Sequence, residues 1–249
     1  MDKKEIVGDI MIDMHCHILD NIDDGSKSLE QSIEMARKAE KLGYNKIFAT
    51  PHYIADSHVT NRDDIVTRVE KLNEVLKEKE VNITIYCGNE VYFVSEILDI
   101  LKRNMVCTLG NSRYILIEFP LSGNILNLEN VVYSIISEGY IPIIAHPERY
   151  QFVNEDISKL NSLIEDGALL QINVASILGY YGKYPKKTIK KLLKNNMVSF
   201  IGTDAHNERT IYETYPKALR KIEKIIGDLK LKKILIENSE SVLKDISIN

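Results

Sequence analysis

Five of the six histidines stand in short clusters at the ends of apolar runs, and four of the five have a carboxylate beside them. His15 and His17 form a His-x-His pair within Asp-Met-His-Cys-His, and His52 ends Ala-Thr-Pro-His. Glu90 ends Cys-Gly-Asn-Glu, and Glu118 lies in Ile-Leu-Ile-Glu-Phe-Pro. His146 opens His-Pro-Glu-Arg, while Asp204 and His206 close Gly-Thr-Asp-Ala-His. Only His58 stands outside such a cluster. Imidazole mixed with carboxylate suits Mn²⁺, Fe or Zn²⁺, and the carboxylate share favours a hard ion such as Mn²⁺. Five histidines with several carboxylates exceed what one tetrahedral zinc uses, so the pattern predicts a multinuclear site. A glutamate bridging two ions would hold them roughly 3.5–4 Å apart, as in two-metal hydrolases.

Two arginines adjoin these ligands: Arg149 is three residues past His146, and Arg209 is three past His206. Guanidinium pairs bidentately with phosphate oxygens, so the predicted chemistry is metal-assisted hydrolysis of a phosphoester. A competing motif exists. Cys107-Thr-Leu-Gly-Asn-Ser-Arg113 has the Cys-x5-Arg spacing of thiol-based phosphatases. That chemistry needs a strand before the loop and a helix after it, so that backbone N–H groups and the helix dipole lower the thiol pKa. Here a helical pattern precedes and an apolar strand follows, which is the inverse order. Cys16, between His15 and His17, is expected to point away from the pair and into packing.

Bringing such scattered residues together is a task for the fold. Short apolar runs at 10–14, 46–50, 83–87, 114–119, 141–145, 169–174 and 198–202 read as buried strands. Helical patterns alternate with them. Ser28 and Gln31 form a capping box before a run that Gly43 stops, and similar periodicity recurs at 65–76, 94–101, 128–137, 157–164 and 188–193. Pro185 suits the first turn of that last helix, and the chain reads as helical from 211 to about 243. Sustained strand–helix alternation predicts a parallel sheet with right-handed crossovers. Ligand residues stand at the C-terminal ends of six of the seven strands. A closed barrel gathers those ends on one face, whereas an open sheet keeps its first and last strands apart. The expected fold is therefore α/β, a distorted TIM-like (β/α)7 barrel.

At 249 residues the chain fits one such barrel, with residues 1–10 as an N-terminal extension and 11–249 as the domain. A hydrophobic share of 44% and a charged share of 27% exclude disorder as the main state. The net charge of −4 argues against a nucleic-acid partner held by bulk positive charge. No run approaches the roughly 18 apolar residues of a membrane span, and residues 1–10 lack a secretory h-region. Three cysteines without a CxxC pair fit a reducing, cytoplasmic setting.

Taken together, the motifs resemble the polymerase-and-histidinol-phosphatase (PHP) superfamily. More narrowly, they resemble the bacterial tyrosine-protein phosphatases of capsular and exopolysaccharide clusters. The segments that carry the likeness begin with Met11-Ile-Asp-Met-His-Cys-His-Ile-Leu, Asp23-Asp-Gly25, Ala49-Thr-Pro-His52 and Gly88-Asn-Glu90. They continue with Tyr114-Ile-Leu-Ile-Glu-Phe-Pro120, the run from Gly139 to Arg149, and Asp204-Ala-His-Asn207. The resemblance implies three divalent metal ions, usually manganese. It implies His15, His17, Glu90 and Asp204 at one ion, with Glu90 bridging to a second completed by Glu118 and His146. Asp24, His52 and His206 would hold the third, although spacing does not separate Asp24 from Asp23. Arg149 matches the phosphate-binding arginine of the family. Arg209 sits nearer its histidine than the second family arginine, which leaves its role open.

The mechanism expected on this basis is direct attack on phosphorus by a metal-activated hydroxide, without a phospho-enzyme. Arg149 and the third ion would neutralise the phosphoryl oxygens. The resemblance further implies the tyrosine-rich tail of a bacterial tyrosine kinase as substrate. Two other readings remain at this point: a small-molecule phosphatase such as one acting on histidinol phosphate, and a catalytically silent metal-binding partner module.

Overall fold

The apolar run expected at the N-terminal end forms strand β1 (Met11–Cys16), and parallel strands then recur along the chain. They are β2 (Tyr44–Ala49), β3 (His52–Tyr53), β4 (Thr84–Cys87), β5 (Glu90–Tyr92), β6 (Tyr114–Glu118), β7 (Ile141–Ala145), β8 (Leu169–Asn173) and β9 (Phe200–Gly202). The computed structural model describes residues 11–248 apart from Asp56, His58, Asn124 and Leu126. The expected extension at 1–10, and His58, therefore lie outside the described residues.

Two of the expected strands, at 46–50 and 83–87, form as β2 and β4 and are each followed by a short further strand. Thr50 and Pro51 separate β2 from β3, and Gly88 and Asn89 separate β4 from β5. The ladder runs β1-β2-β4 in one sheet and β3-β5-β6-β7-β8-β9 in the other. Thr50 N donates to Cys16 O at 3.0 Å and Glu90 N to Pro51 O at 3.1 Å, so pairing carries across both breaks. The far edges meet as well. Cys16 bridges Ala205 in parallel, Asp204 N donates to His15 O at 2.8 Å, and His17 N donates to Ala205 O at 3.0 Å. Seven strand positions thus close into a ring at the C-terminal rim. The ring is distorted: β4 does not pair with β6, and the 3-10 turn Leu109–Asn111 packs against both.

Outside the ring lie α1 (Leu29–Leu42), α2 (Arg62–Glu78), α3 (Ile97–Lys102), α4 (Leu128–Ser137), α5 (Gln151–Glu155), α6 (Asn161–Asp166), α7 (Lys183–Lys194) and α8 (Thr210–Ile226). The expected helical tail is segmented at Gly227 into α8, α9 (Asp228–Lys232), a π-helical turn and α10 (Asn238–Leu243). The capping box forms in a shifted version. Ser28 Oγ accepts from Gln31 N at 3.2 Å, while Gln31 Oε1 accepts from Lys27 N rather than from Ser28 N. No helix among the described residues is long and apolar enough to cross a membrane.

Ile12, Met14, Phe48, Leu116, Ile143, Ala145 and Phe200 fill the ring from their strands. Val242 of α10 closes its N-terminal end. Above this apolar plug lies a buried polar layer that includes His15, His17, Glu90, Gln171, Asn173 and Asp204. The plug is what makes the polar layer costly, because a charge seated on it has little water to turn to.

Candidate metal centre

Strand alternation alone would turn His15 and His17 away from the ring, since Ile12 and Met14 already face inward. A register shift between Asp13 and Cys16 reverses the phase. Cys16 then packs outward, its Sγ 3.7 Å from Tyr212 Oη, and both imidazoles enter the site. Two further ligand candidates are re-aimed by left-handed backbone: His146 has φ 31° and Asp204 has φ 52°. Non-glycine residues occupy that region at some cost, and such strain concentrates at functional sites.

Glu90 is the hub. Its Oε2 lies 3.2 Å from His15 Nε2, 3.3 Å from His17 Nε2 and 3.1 Å from His52 Nδ1, while Oε1 lies 2.9 Å from His146 Nε2. Glu118 stands beyond it, 3.6 Å from His146 Nε2 and 3.8 Å from His52 Nδ1. Asp204 Oδ1 is 3.4 Å from both His15 Nε2 and His17 Nε2. Donor atoms converge in four overlapping groups that could hold ions: His15-His17-Asp204, His15-Glu90-His146, His52-Glu90-Glu118 and His17-Asp24-His52-His206.

The adjoining aspartates that spacing left undivided separate here. Asp23 is buried and committed: it accepts from Gly25 N at 2.9 Å and His52 N at 3.0 Å, and contacts His17 Nδ1 at 2.7 Å. Asp24 faces the pocket, with Oδ1 3.3 Å from His206 Nε2 and 3.5 Å from His52 Nε2. Gly25 lets this turn press against His17, because an added Cβ would collide with the His17 carbonyl oxygen and Cβ.

Several supporting residues carry no ligand signature in the sequence. Strand β8 supplies Gln171, whose Oε1 lies 2.9 Å from His15 Nδ1, and Asn173, whose Nδ2 donates to Asp204 Oδ2 at 2.6 Å. Such partners set the tautomer and orientation of a ligand. Tyr150 Oη donates to Ala145 O and accepts from Phe119 N at 2.9 Å, tying the ends of β6 and β7 together beside Glu118 and His146. Glu148 accepts from Ser176 Oγ at 2.7 Å and Asn173 N at 2.9 Å, and burial pushes it up to about 7.

The two arginines part company. Arg149 lines the pocket, with Nη1 3.2 Å from Asp204 Oδ2 and its guanidinium 4.6 Å from the Tyr181 ring centre. Arg209 does not enter: its side chain is 79% exposed and turns to Glu208 at 3.3 Å. It stands at the N-terminal boundary of α8, where a side chain three residues past His206 projects along the outer surface.

The donor set fits cations. Glu90 Oε2 and His52 Nδ1 are buried without a hydrogen-bond partner among the described atoms. Burial opposes charge on His15, yet Glu90 and Asp204 lift it to about 9. Burial and the Glu90 carboxylate push Glu118 up to about 8. Both shifts express one need, which is positive charge among crowded buried carboxylates.

A family comparison bears directly on this centre: the family described as capsular polysaccharide synthesis, CpsB/CapC, matches residues 11–244. The chain belongs to the CpsB/CapC family. Over 238 residues it is 36% identical to the tyrosine-protein phosphatase YwqE of Bacillus subtilis (strain 168), spanning 96% of this chain and 93% of that relative. It is 29% identical over 240 residues to the tyrosine-protein phosphatase CpsB of Streptococcus pneumoniae, spanning 94% and 99%. A crystal structure from work on YwqE and CpsB, described there as metal-dependent tyrosine phosphatases, superposes with a TM-score of 0.90 at 36% identity and covers 96% of each chain.

The competing thiol motif does not assemble in this CpsB/CapC protein. Cys107 Sγ is buried 3.9 Å from Arg62 O, and Arg113 turns away to Asp245 at 3.2 Å. Contact with Cys87 and burial hold the Cys107 thiol far above its ordinary range, the reverse of a nucleophile. Cys107→Ser is expected to leave turnover of a phosphotyrosine peptide within about threefold of the parent, since Cys107 neither lines the pocket nor belongs to a donor group. Steady-state kinetics check this, and a trapped phosphocysteine would contradict it.

Proposed function

We propose that this CpsB/CapC protein is a metal-dependent tyrosine-protein phosphatase acting on a tyrosine kinase that governs capsular polysaccharide assembly. One observation carries the reading: Arg149 and the Glu90-centred donor cluster face the same pocket, of about 220 Å³. A phosphate paired with Arg149 would stand directly over the donors. His15, His17, Glu90 and Asp204 would hold one divalent ion, Glu90, Glu118 and His146 a second, and Asp24, His52 and His206 a third. Mn²⁺ suits this mixture best, with Fe and Zn²⁺ as the other ions it accepts.

Bound there, the ions supply Lewis acidity, which acidifies water and neutralises phosphoryl oxygens. The chain supplies the rest. Arg149 binds the phosphoryl oxygens and is held in place by the Tyr181 ring and Asp204. Asp23 and Gln171 fix the outer nitrogens of His17 and His15, so their Nε2 atoms face the cluster. A tyrosinate leaving group has a pKa of about 10 and departs with little help from a general acid. The reading places the protein in the cytoplasm, where the free thiols of Cys16, Cys87 and Cys107 stay reduced. A flexible, tyrosine-rich kinase tail is the substrate form that an open rim pocket accommodates.

Chelation tests the reading. Protein shown by elemental analysis to be metal-free should not hydrolyse a phosphotyrosine peptide. Mn²⁺ should restore turnover more fully than Mg²⁺, which accepts imidazole poorly. Full activity without metal would remove the assignment.

A further inference from the structure

Tyr180 and Tyr181 line the pocket, and α7 begins two residues later at Lys183. The Cα of Lys183 therefore lies within about 7 Å of that of Tyr181. Helix α7 carries six lysines and no acidic residue. Lys183, Lys187, Lys190 and Lys194 are all exposed and follow one another at helical spacing, so they form a single stripe. The stripe is about 16 Å long. No described carboxylate pairs with any of these four, and Lys183 Nζ lies over the exposed Tyr184 ring at 5.1 Å. Lys194 in the last turn complements the helix macrodipole, but Lys183 at the first position is opposed by it. The macrodipole therefore does not account for the whole stripe. The charge is also local, since the whole chain carries −4.

Resting on the phosphatase reading, we propose that the lysine stripe of α7 is a docking track for the substrate polypeptide, selecting acidic residues or further phosphotyrosines beside the phosphotyrosine in the pocket. The exposed Tyr180 ring, packed edge-on against Tyr181 at 5.0 Å, marks where the chain leaves the pocket. An extended segment advances about 3.3 Å per residue, so about five residues span the stripe. Acidic groups within about six residues of the phosphotyrosine, on one side of it, would meet successive lysines. A segment lying on the track is continuous with the residue in the pocket, which favours a peptide over a lipid surface.

The test uses the full-length, metal-loaded protein and three kinds of substrate. These are p-nitrophenyl phosphate, a phosphotyrosine peptide with Ser and Gly flanks, and the same peptide with Glu placed on one side or the other. At low salt, one acidic peptide should exceed the neutral peptide in kcat/KM by about tenfold, and the gap should close near 0.5 M salt, where screening is short-ranged. Combining Lys183→Glu, Lys187→Glu and Lys190→Glu should abolish the gap and leave p-nitrophenyl phosphate turnover within twofold. Glutamine at the same three positions provides a milder second variant. Equal kcat/KM for all peptides would overturn the track, as would loss of p-nitrophenyl phosphate turnover in both variants. Lysine-dependent sedimentation with phosphatidylglycerol vesicles, alongside equal peptide kinetics, would assign the stripe to a membrane instead. If the parent protein turned over none of these substrates, the phosphatase reading itself would fall.

Discussion

Glu90→Gln should lower kcat on a phosphotyrosine peptide by about 1000-fold, equivalent to about 4 kcal/mol of transition-state stabilisation. The expectation comes from position. Both carboxylate oxygens of Glu90 lie within 3.3 Å of nitrogens of four histidines from three strand ends, and the residue is fully buried. Glutamine keeps the shape but removes the charge and one acceptor, so cations would lose the donor they share. Elemental analysis should show metal lost along with activity. His206→Ala is the informative comparison: His206 is partly exposed and belongs to one of the four donor groups, so its loss should cost much less. Equal effects of the two substitutions would show that the donors do not converge on Glu90.

Arg149→Ala should lower kcat/KM for phosphotyrosine peptide by about 100-fold or more, the range seen when one donor to a developing oxyanion is removed. Metal content should stay at the parent level, which separates this variant from Glu90→Gln. Arg149→Lys should recover only part of the loss, because an ammonium is a point charge and cannot reproduce the planar fork or its stacking on Tyr181. The same measurements decide substrate class. Phosphotyrosine peptide should exceed phosphoserine peptide and histidinol phosphate in kcat/KM by at least about tenfold, or roughly 1.4 kcal/mol. The exposed Tyr180 ring at the mouth offers the aryl group of phosphotyrosine a stacking partner that phosphoserine cannot use. A preference for histidinol phosphate would reassign the substrate and leave the metal argument standing.

The strands were legible because buried parallel strands are continuous apolar runs, and the candidate ligands other than Asp24 because each stands at or just past the end of such a run. Residues that act by supporting others were not. Gln171 and Asn173 sit within an apolar run that carries no ligand type, and an amide there reads as an ordinary polar interruption. Their role depends on which residues lie across the ring. Asp23 and Asp24 are adjacent in sequence, so only the turn at Gly25 decides which is buried under His17 and which faces out. Arg209 shows the converse failure. Its spacing from His206 equals that of Arg149 from His146, yet a 3-10 turn follows His146 and carries Arg149 back over the pocket, whereas the segment after His206 leads into α8. The short strands β3 and β5 were invisible as well, since Thr50-Pro51 and Gly88-Asn89 end the apolar runs while pairing carries on across them.

The seam between Cys16 and Ala205 joins positions 189 residues apart. Closing so long a loop is entropically expensive and slow, and little rewards it until the intervening strands are in place. His15 and His17 lie on one side of that seam, Asp204 and His206 on the other. A chain that has not yet completed its barrel therefore lacks the Asp204 and His206 end of the site. Activity in this protein reports on the completeness of folding: molecules stalled on the way are inert toward phosphate, rather than loosely selective.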